Sequence, residues 1–134
     1  MSEPAVVFDS GVIDQAATNG EFRWVLHELL VSGWQPVIPT VVLAEAITGR
    51  PDDAPTNQVV RRLDTVDTSQ ATARRAGHLR SSVQRTGVRR LPSGIDAIVA
   101  AHAVDAGTAV VFTTDTTDLR RLLADYPRIA VERP

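Results

Sequence analysis

Four acidic residues in this sequence stand beside apolar segments. Asp9 and Asp115 each follow a short apolar run that is typical of a buried strand. Glu45 lies in a mostly apolar segment predicted to be helical, and Asp96 lies in the first turn of another predicted helix. Carboxylates held close together repel and raise each other's pKa, so such a group is costly unless a cation lies among them. In a chain without cysteine, oxygen ligands of this kind suit Mg²⁺ or Mn²⁺.

Each of these acids also has a purely structural interpretation. Asp9 could cap the helix that follows it. Asp96 ends the segment Ser93-Gly94-Ile95-Asp96, which matches a capping box, and Asp115 and Asp118 share that spacing. Glu45 could simply face solvent. Their joint placement favours a metal site, because the carboxyl ends of parallel strands meet at one edge of a sheet. A metal ion there can activate a water molecule and bind phosphate oxygens, which indicates phosphodiester hydrolysis.

The acids are positioned by a predicted succession of strands and helices. Apolar runs predict strands over 5–9, 34–39, 65–67, 108–113 and 129–131. Amphipathic or small-residue patterns predict helices over 11–17, 21–32, 41–48, 58–63, 70–86, 95–106 and 115–125. Strands that alternate with helices predict an α/β fold with a mainly parallel sheet. We expect one domain over 1–134, since the sequence has no repeat or linker.

Composition excludes several classes of protein. The absence of cysteine excludes disulfides, thiolate zinc sites and cysteine nucleophiles. All 14 basic residues are arginine, which excludes the P-loop lysine, Schiff-base chemistry and phosphoryl-transfer sites built on an aspartate and a lysine. The net charge of −2 argues against a generally basic nucleic-acid binder but leaves room for a local basic face. With no signal-peptide pattern and no apolar run near the ~18 residues of a membrane span, we expect a cytoplasmic protein without a membrane partner.

Four segments of the chain, in order and with fitting gaps, resemble the motifs of the PIN-domain ribonucleases. They are Val6-Val7-Phe8-Asp9-Ser10, Val42-Leu43-Ala44-Glu45, Gly94-Ile95-Asp96-Ala97-Ile98-Val99-Ala100-Ala101-His102-Ala103 and Val111-Phe112-Thr113-Thr114-Asp115-Thr116-Thr117-Asp118-Leu119. The most similar members are the VapC toxins of type II toxin–antitoxin pairs. The helix around Asp96 is the most specific part of the resemblance, which covers the whole chain.

The resemblance implies a three-layer α/β/α fold and a metal-dependent endoribonuclease. The four acidic positions of the family, which would bind one or two Mg²⁺ or Mn²⁺ ions, are matched by Asp9, Glu45, Asp96 and Asp115. Ser10 would support the first of these, and Asp118 matches an acidic position that joins or supports the site in some members. Thr114 stands where many relatives have a polar or basic residue. The toxin members commonly form homodimers, and a cognate antitoxin would block the site.

Other residues have less specific interpretations. Arg89 and Arg90 shortly precede Asp96 and could contact RNA phosphates, or could lie on a solvated surface. Trp24 and Trp34 are predicted to be core or dimer contacts. The histidines lack metal-site spacing and are interpreted as structural: His27, His78 and His102. The alternative function is a degenerate PIN domain that acts as an RNA- or protein-binding module, and the complete acidic set argues against it.

Overall fold

A parallel sheet lies at the centre of the computed structural model, which describes residues 3–134. Its four strands are β1 (Ala5–Phe8), β2 (Gln35–Val37), β3 (Ala109–Phe112) and β4 (Ile129–Glu132). Their order across the sheet is β2-β1-β3-β4, and each neighbouring pair is parallel. The predicted α/β fold with a mainly parallel sheet is therefore confirmed.

The chain between the strands is mostly helical. The α-helices of residues 3–134 are α1 (Gln15–Thr18), α2 (Gly20–Val31), α3 (Leu43–Ala46), α4 (Ala54–Leu63), α5 (Gln70–Gln84), α6 (Gly94–Ala106) and α7 (Thr116–Leu122). Short 3-10 turns cover Ser10–Val12, Thr40–Val42 and Pro51–Asp53. In this part of the chain, no helix has the length and apolar character that crossing a membrane requires.

Some predicted boundaries differ from those of the structure. The helix predicted over 11–17 is divided into a 3-10 turn and α1, and the one predicted over 41–48 begins as a 3-10 turn and ends at Ala46. Helix α4 begins four residues earlier than predicted, because Pro55 fits the first turn of a helix, where its missing N–H is not needed. The strand predicted over 65–67 is reduced to one bridge between Val66 and Pro39.

The core forms on both faces of the two central strands. Every residue of β1 and β3 is buried, as expected for parallel strands covered by helices. From α2, Phe22 packs edge-to-face against Phe112 of β3 and Phe8 of β1, with ring centroids 4.8 and 6.3 Å apart. Truncation of Phe22 to alanine would cost about 3–5 kcal/mol of stability.

The register of the strands determines which residues meet at the carboxyl edge of the sheet. Phe8 pairs with Phe112, and the next residue on β1 continues the ladder through a hydrogen bond from Asp9 N to Phe112 O at 3.0 Å. On the other side of β3, Thr113 N donates to Glu132 O at 3.0 Å. The residues that follow β1, β3 and β4 therefore lie side by side.

Candidate active site

Asp9 is fixed in place at the carboxyl end of β1. The residue is buried, with 8% of its surface exposed. Oδ1 accepts a hydrogen bond from Ser10 N at 2.8 Å, and Oδ2 accepts one from Thr113 Oγ1 at 2.8 Å. The first bond is the helix cap that the structural interpretation of Asp9 predicted, although the helix it caps is a single 3-10 turn. The second bond ties Asp9 to the neighbouring strand and orients the carboxylate.

Thr113 connects the two acids that follow the central strands. It is completely buried, and its Oγ1 lies 3.1 Å from both the backbone N and the backbone O of Asp115. A hydroxyl has one hydrogen to donate, and the shorter contact is that to Asp9, so Oγ1 donates to Asp9 and accepts from Asp115 N. No role for Thr113 follows from the sequence alone. The available signal was a hydroxyl residue at the end of an apolar strand, two residues before an aspartate.

Asp96 lies in the first turn of α6, among other carboxylates. Ser93 caps this helix, because Asp96 N donates to Ser93 Oγ at 3.0 Å. Partial burial, the charges of Asp9 and Asp118 and, to a smaller extent, the charge of Glu45 together raise the pKa of Asp96 to about 6, while hydrogen bonding of its carboxylate by the Ser93 side chain lowers it. Asp96 is therefore both a first-turn residue hydrogen-bonded to the helix cap Ser93 and a member of an acidic group.

Helix α7 places two aspartates differently. Asp115 is its N-cap, and Oδ1 accepts a hydrogen bond from Thr117 N at 3.2 Å, as the structural interpretation predicted. One turn later, Asp118 is half-buried and is the α7 residue whose charge raises the pKa of Asp96. Arg121 Nη1 lies 3.8 Å from Asp118 Oδ1, on the same helix. The acid of α7 whose charge acts on Asp96 is thus Asp118, which matches a position that joins or supports the site in some members of the resembled family.

Glu45 lies at the margin of this group. It is exposed on α3, and its Oε1 is 3.5 Å from Ser10 Oγ, a long hydrogen-bond distance. Together with Ser10, Glu45 lines a cleft of about 300 Å³ whose other acidic residues are Asp14, Asp52 and Asp53.

Within that cleft, Asp53 has a structural role. Its carboxylate accepts hydrogen bonds from Thr48 N, Thr48 Oγ1 and Gly49 N at 2.7–3.0 Å. These bonds hold the pKa of Asp53 below its usual value. Because Asp53 is used in closing the turn between α3 and α4, we do not count it among the candidate metal ligands.

The loop before α6 carries the two arginines predicted to contact RNA. Arg89 and Arg90 are both exposed, a few residues before Asp96. The loop is held at its end by Arg80 of α5, whose Nε donates to Pro92 O at 3.0 Å. The role of Arg89 and Arg90 in binding RNA phosphates stays a prediction.

The candidate donors lie at one edge of the sheet but do not converge on a single point. Within residues 3–134, no three Asp, Glu or His side chains lie close enough together to enclose a metal ion. Asp9, Asp118 and Glu45 do lie near enough to Asp96 to affect its pKa. All of these donors are carboxylate oxygens, which fit Mg²⁺ or Mn²⁺ better than a softer metal.

The fold is shared with chains of known toxin–antitoxin complexes. One is in VapBC2 from Rickettsia felis bound to a promoter DNA fragment, with a TM-score of 0.71 and 19% identity over 98% of each chain. Another is in VapBC-1 from nontypeable Haemophilus influenzae, with a TM-score of 0.70 and 16% identity over 97% of each chain. A third is in FitAcB from Neisseria gonorrhoeae, with a TM-score of 0.64 and 17% identity over 96% of this chain and 97% of that one.

These matches define the class of fold. No protein-family profile matches the sequence, and no curated protein matches it either. At identities below 25%, the structural likeness shows a common fold, and it extends over nearly the whole of each chain. The chain has the α/β fold of VapC-like, PIN-type proteins. The resemblance to VapC toxins that the sequence motifs indicated is thus confirmed at the level of the fold.

Proposed function

We propose that this chain is the toxin of a type II toxin–antitoxin pair and that it cleaves RNA with the help of Mg²⁺ or Mn²⁺. The observation that carries the proposal is the placement of the acids: Thr113 holds Asp9 at the carboxyl end of β1, and Asp9, Asp118 and Glu45 lie near Asp96. In keeping with this placement, burial and the neighbouring carboxylates raise the pKa of Asp96 to about 6. Mutual repulsion of this kind is relieved when a divalent cation binds among the carboxylates. The fold on which this group lies is that of chains in toxin–antitoxin complexes.

The proposed metal ligands come from four different parts of the fold. They are Asp9, Glu45, Asp96 and Asp115. When bound, Mg²⁺ or Mn²⁺ would supply a water of lowered pKa and charge to stabilise the phosphodiester oxygens. The chain's own contribution is orientation. Thr113 and Ser10 N hold both oxygens of Asp9 before any ligand arrives, which avoids the cost of ordering that side chain on binding.

Two further residues support the proposed site. Asp118 lies near Asp96, and we assign it either a direct contact with the ion or a contact through water. Ser10 contacts Glu45 and would limit the orientations of that exposed carboxylate. Arg89 and Arg90 are the proposed contacts to RNA phosphates, where they would position the strand without reading its sequence.

The proposed protein partners are a cognate antitoxin and a second copy of the chain. Helix α2 exposes large apolar side chains, with Trp24 63% and Val31 71% exposed. Of the two roles predicted for Trp24, a core contact or a dimer contact, the core role is excluded, because the core-facing positions of α2 are those of Phe22 and Leu26. The dimer contact stays a prediction. Apolar side chains exposed together are typical of a surface that a partner covers, which supports the expectation of a protein contact there.

A second candidate function is a degenerate PIN domain that binds RNA or protein without cleavage. What favours it is that Asp9 and Asp115 each use one carboxylate oxygen to cap a turn or helix. These structural roles would suffice to explain both aspartates. The two functions differ in whether a divalent ion is bound and in whether RNA is cut.

Cleavage of total cellular RNA by the purified protein tests the proposed function. We expect discrete fragments with Mg²⁺ or Mn²⁺, none with EDTA, and none from Asp9→Asn. Asp125→Asn is the matched control, since Asp125 is exposed and belongs to none of the proposed ligands. Cleavage by a folded Asp9→Asn protein at the wild-type rate would refute the proposed catalytic role. Absence of both cleavage and metal binding in the wild type would favour the binding module.

A further inference from the structure

Strand β4 brings an arginine to the acidic edge of the sheet. The last hydrogen bond of the ladder between β3 and β4 runs from Thr113 N to Glu132 O, and Arg133 is the next residue. Its Nη1 donates to Thr114 O at 2.6 Å. The guanidinium of Arg133 is thereby held against the loop that joins Thr113 to Asp115.

Most of the hydrogen-bonding capacity of Arg133 remains free. A guanidinium has five N–H donors, and the contact with Thr114 O uses one of them. The side chain is exposed, and Arg133 forms no salt bridge with the carboxylates of residues 3–134. Its charge and its planar set of donors are therefore available to an anion that approaches this edge.

Other arginines near the sheet do not present free N–H donors and an unpaired charge at its acidic edge. Arg120 directs Nη2 to Val131 O at 3.3 Å, inside β4, and Arg121 lies beside Asp118. Arg128 precedes β4 and lies at the opposite, amino edge of the sheet, where its carbonyl accepts from Ala109 N. Arg133 thus combines a fixed position at the acidic edge with unused donors.

We propose that Arg133 binds a phosphate of the RNA backbone beside the acidic group. This inference rests on the proposed function, and it adds a substrate-binding residue outside the family motifs. A carboxylate cluster repels a polyanion, and a guanidinium at its rim reduces that repulsion locally. Arginine suits this position because its planar fork can donate two parallel hydrogen bonds to one phosphate.

The test measures RNA binding separately from RNA cleavage. In an Asp9→Asn background, which is expected not to cut, a fluorescein-labelled pool of random-sequence single-stranded RNA is titrated and followed by anisotropy. We expect Arg133→Gln to weaken binding about tenfold, the loss of one charged hydrogen-bonded contact. The slope of log affinity against log salt should fall by about 0.7, the value for one phosphate of a single strand.

Arg128→Gln is the matched control, because it removes the same charge from the opposite end of β4. It should change neither affinity nor salt slope, and Arg133→Lys should retain the salt slope with intermediate affinity. Without the Asp9 change, Arg133→Gln should keep wild-type Mn²⁺ affinity by calorimetry and raise KM more than it lowers kcat.

Several outcomes would overturn the role of Arg133. One is an equal loss of RNA affinity in Arg133→Gln and Arg128→Gln, and another is no loss of RNA affinity in either variant while the parent binds RNA. A third is loss of Mn²⁺ affinity in Arg133→Gln, which would mean that the residue only positions the loop. If the parent binds no RNA and the wild type cuts none, the proposed function fails together with this inference.

Discussion

Replacement of Asp96 by asparagine should stabilise the metal-free protein. Burial and the charges of Asp9, Asp118 and Glu45 raise the pKa of Asp96 from 3.8 to about 6, so at neutral pH the folded state contains an ionised carboxylate in unfavourable surroundings. Asparagine has nearly the same shape without the charge. A residue proposed for catalysis would thus be one whose neutral analogue makes the protein more stable.

The size of the effect follows from the pKa. A rise of about 2 units corresponds to about 3 kcal/mol at 1.36 kcal/mol per unit. Because Asp96 is half-buried, solvent screening reduces this to about 1–2 kcal/mol. For a chain of this length, that gain should raise Tm by roughly 4–8 °C.

The dependence on pH has a defined sign. A raised pKa means that the folded state binds more protons than the unfolded state between pH 3.8 and about 6. The advantage of Asp96→Asn over the wild type should therefore be complete above pH 6, decrease as the pH falls through this window, and vanish below pH 3.8.

The assay is thermal unfolding of both proteins in EDTA at several pH values, with Asp125→Asn as a control that should leave Tm unchanged. Addition of Mn²⁺ should then raise the Tm of the wild type much more than that of Asp96→Asn, since binding stabilises the folded state in proportion to affinity. A lower Tm for Asp96→Asn at pH 7.5 in EDTA would refute the reasoning, because it would mean that the charge of Asp96 stabilises the metal-free fold.

Three other substitutions test separate parts of the structure. Thr113→Val removes the hydroxyl between Asp9 and Asp115 and should lower the free energy of unfolding in urea by about 1–3 kcal/mol. It should also reduce Mn²⁺ affinity about 10–100-fold by calorimetry. Unchanged Mn²⁺ affinity would contradict the orienting role of Thr113. Burial lowers the pKa of His102 below its usual 6.5, against the effect of the Asp105 charge. Because the unfolded state then binds more protons below pH 6.5, stability should fall as the pH drops through this range. In the Asp96→Asn background, His102→Gln should remove this part of the pH dependence. Asp53→Asn should lower Tm at pH 7 by weakening the hydrogen bonds to Thr48 and Gly49, while Mn²⁺ affinity is retained. The difference in Tm from the wild type should shrink below pH 3.8. Loss of metal binding would instead place Asp53 in the site.

The sequence was sufficient to predict the four strands of the sheet, although not to exclude a fifth over 65–67, and to predict that Asp9 and Asp115 follow two of them. The apolar runs before Asp9 and Asp115 are four-residue strands that are buried throughout, and such continuous runs indicate central parallel strands. Their common direction places both aspartates at one edge, whatever the details of the loops. Helix boundaries were less accurate, because short helices such as α1 and α3 depend on packing more than on their own propensities.

Side-chain roles within the edge depend on distances that periodicity does not give. Asp115 and Asp118 are three residues apart, as Ser93 and Asp96 are, and this spacing does not tell their roles apart. Asp115 caps α7, whereas the charge of Asp118 raises the pKa of Asp96. The hydrogen bond of Thr113 joins residues 104 positions apart in the chain, so no local pattern predicts it. Arg133 likewise acquires its position from the pairing of β4 with β3.

The sequence could not decide between a core and a dimer contact for Trp24, for a related reason. Aromatic side chains are usually buried, and Trp24 lies in an amphipathic helix. The core face of α2 is defined by Phe22 and Leu26, and Trp24 lies on another side of the helix, 63% exposed and stacked on His27 with ring centroids 6.4 Å apart. Composition alone does not distinguish a core tryptophan from an exposed one.

A titration of the metal-free protein with Mn²⁺ by calorimetry tests most directly whether the acidic edge is a metal centre. We predict saturable binding by the wild type and by Asp125→Asn, at least tenfold weaker binding by Asp9→Asn and Asp96→Asn, and release of protons at pH 6, where Asp96 is partly protonated. Equal Mn²⁺ affinity in all four proteins, or no binding by the wild type, would contradict a metal centre built on these carboxylates.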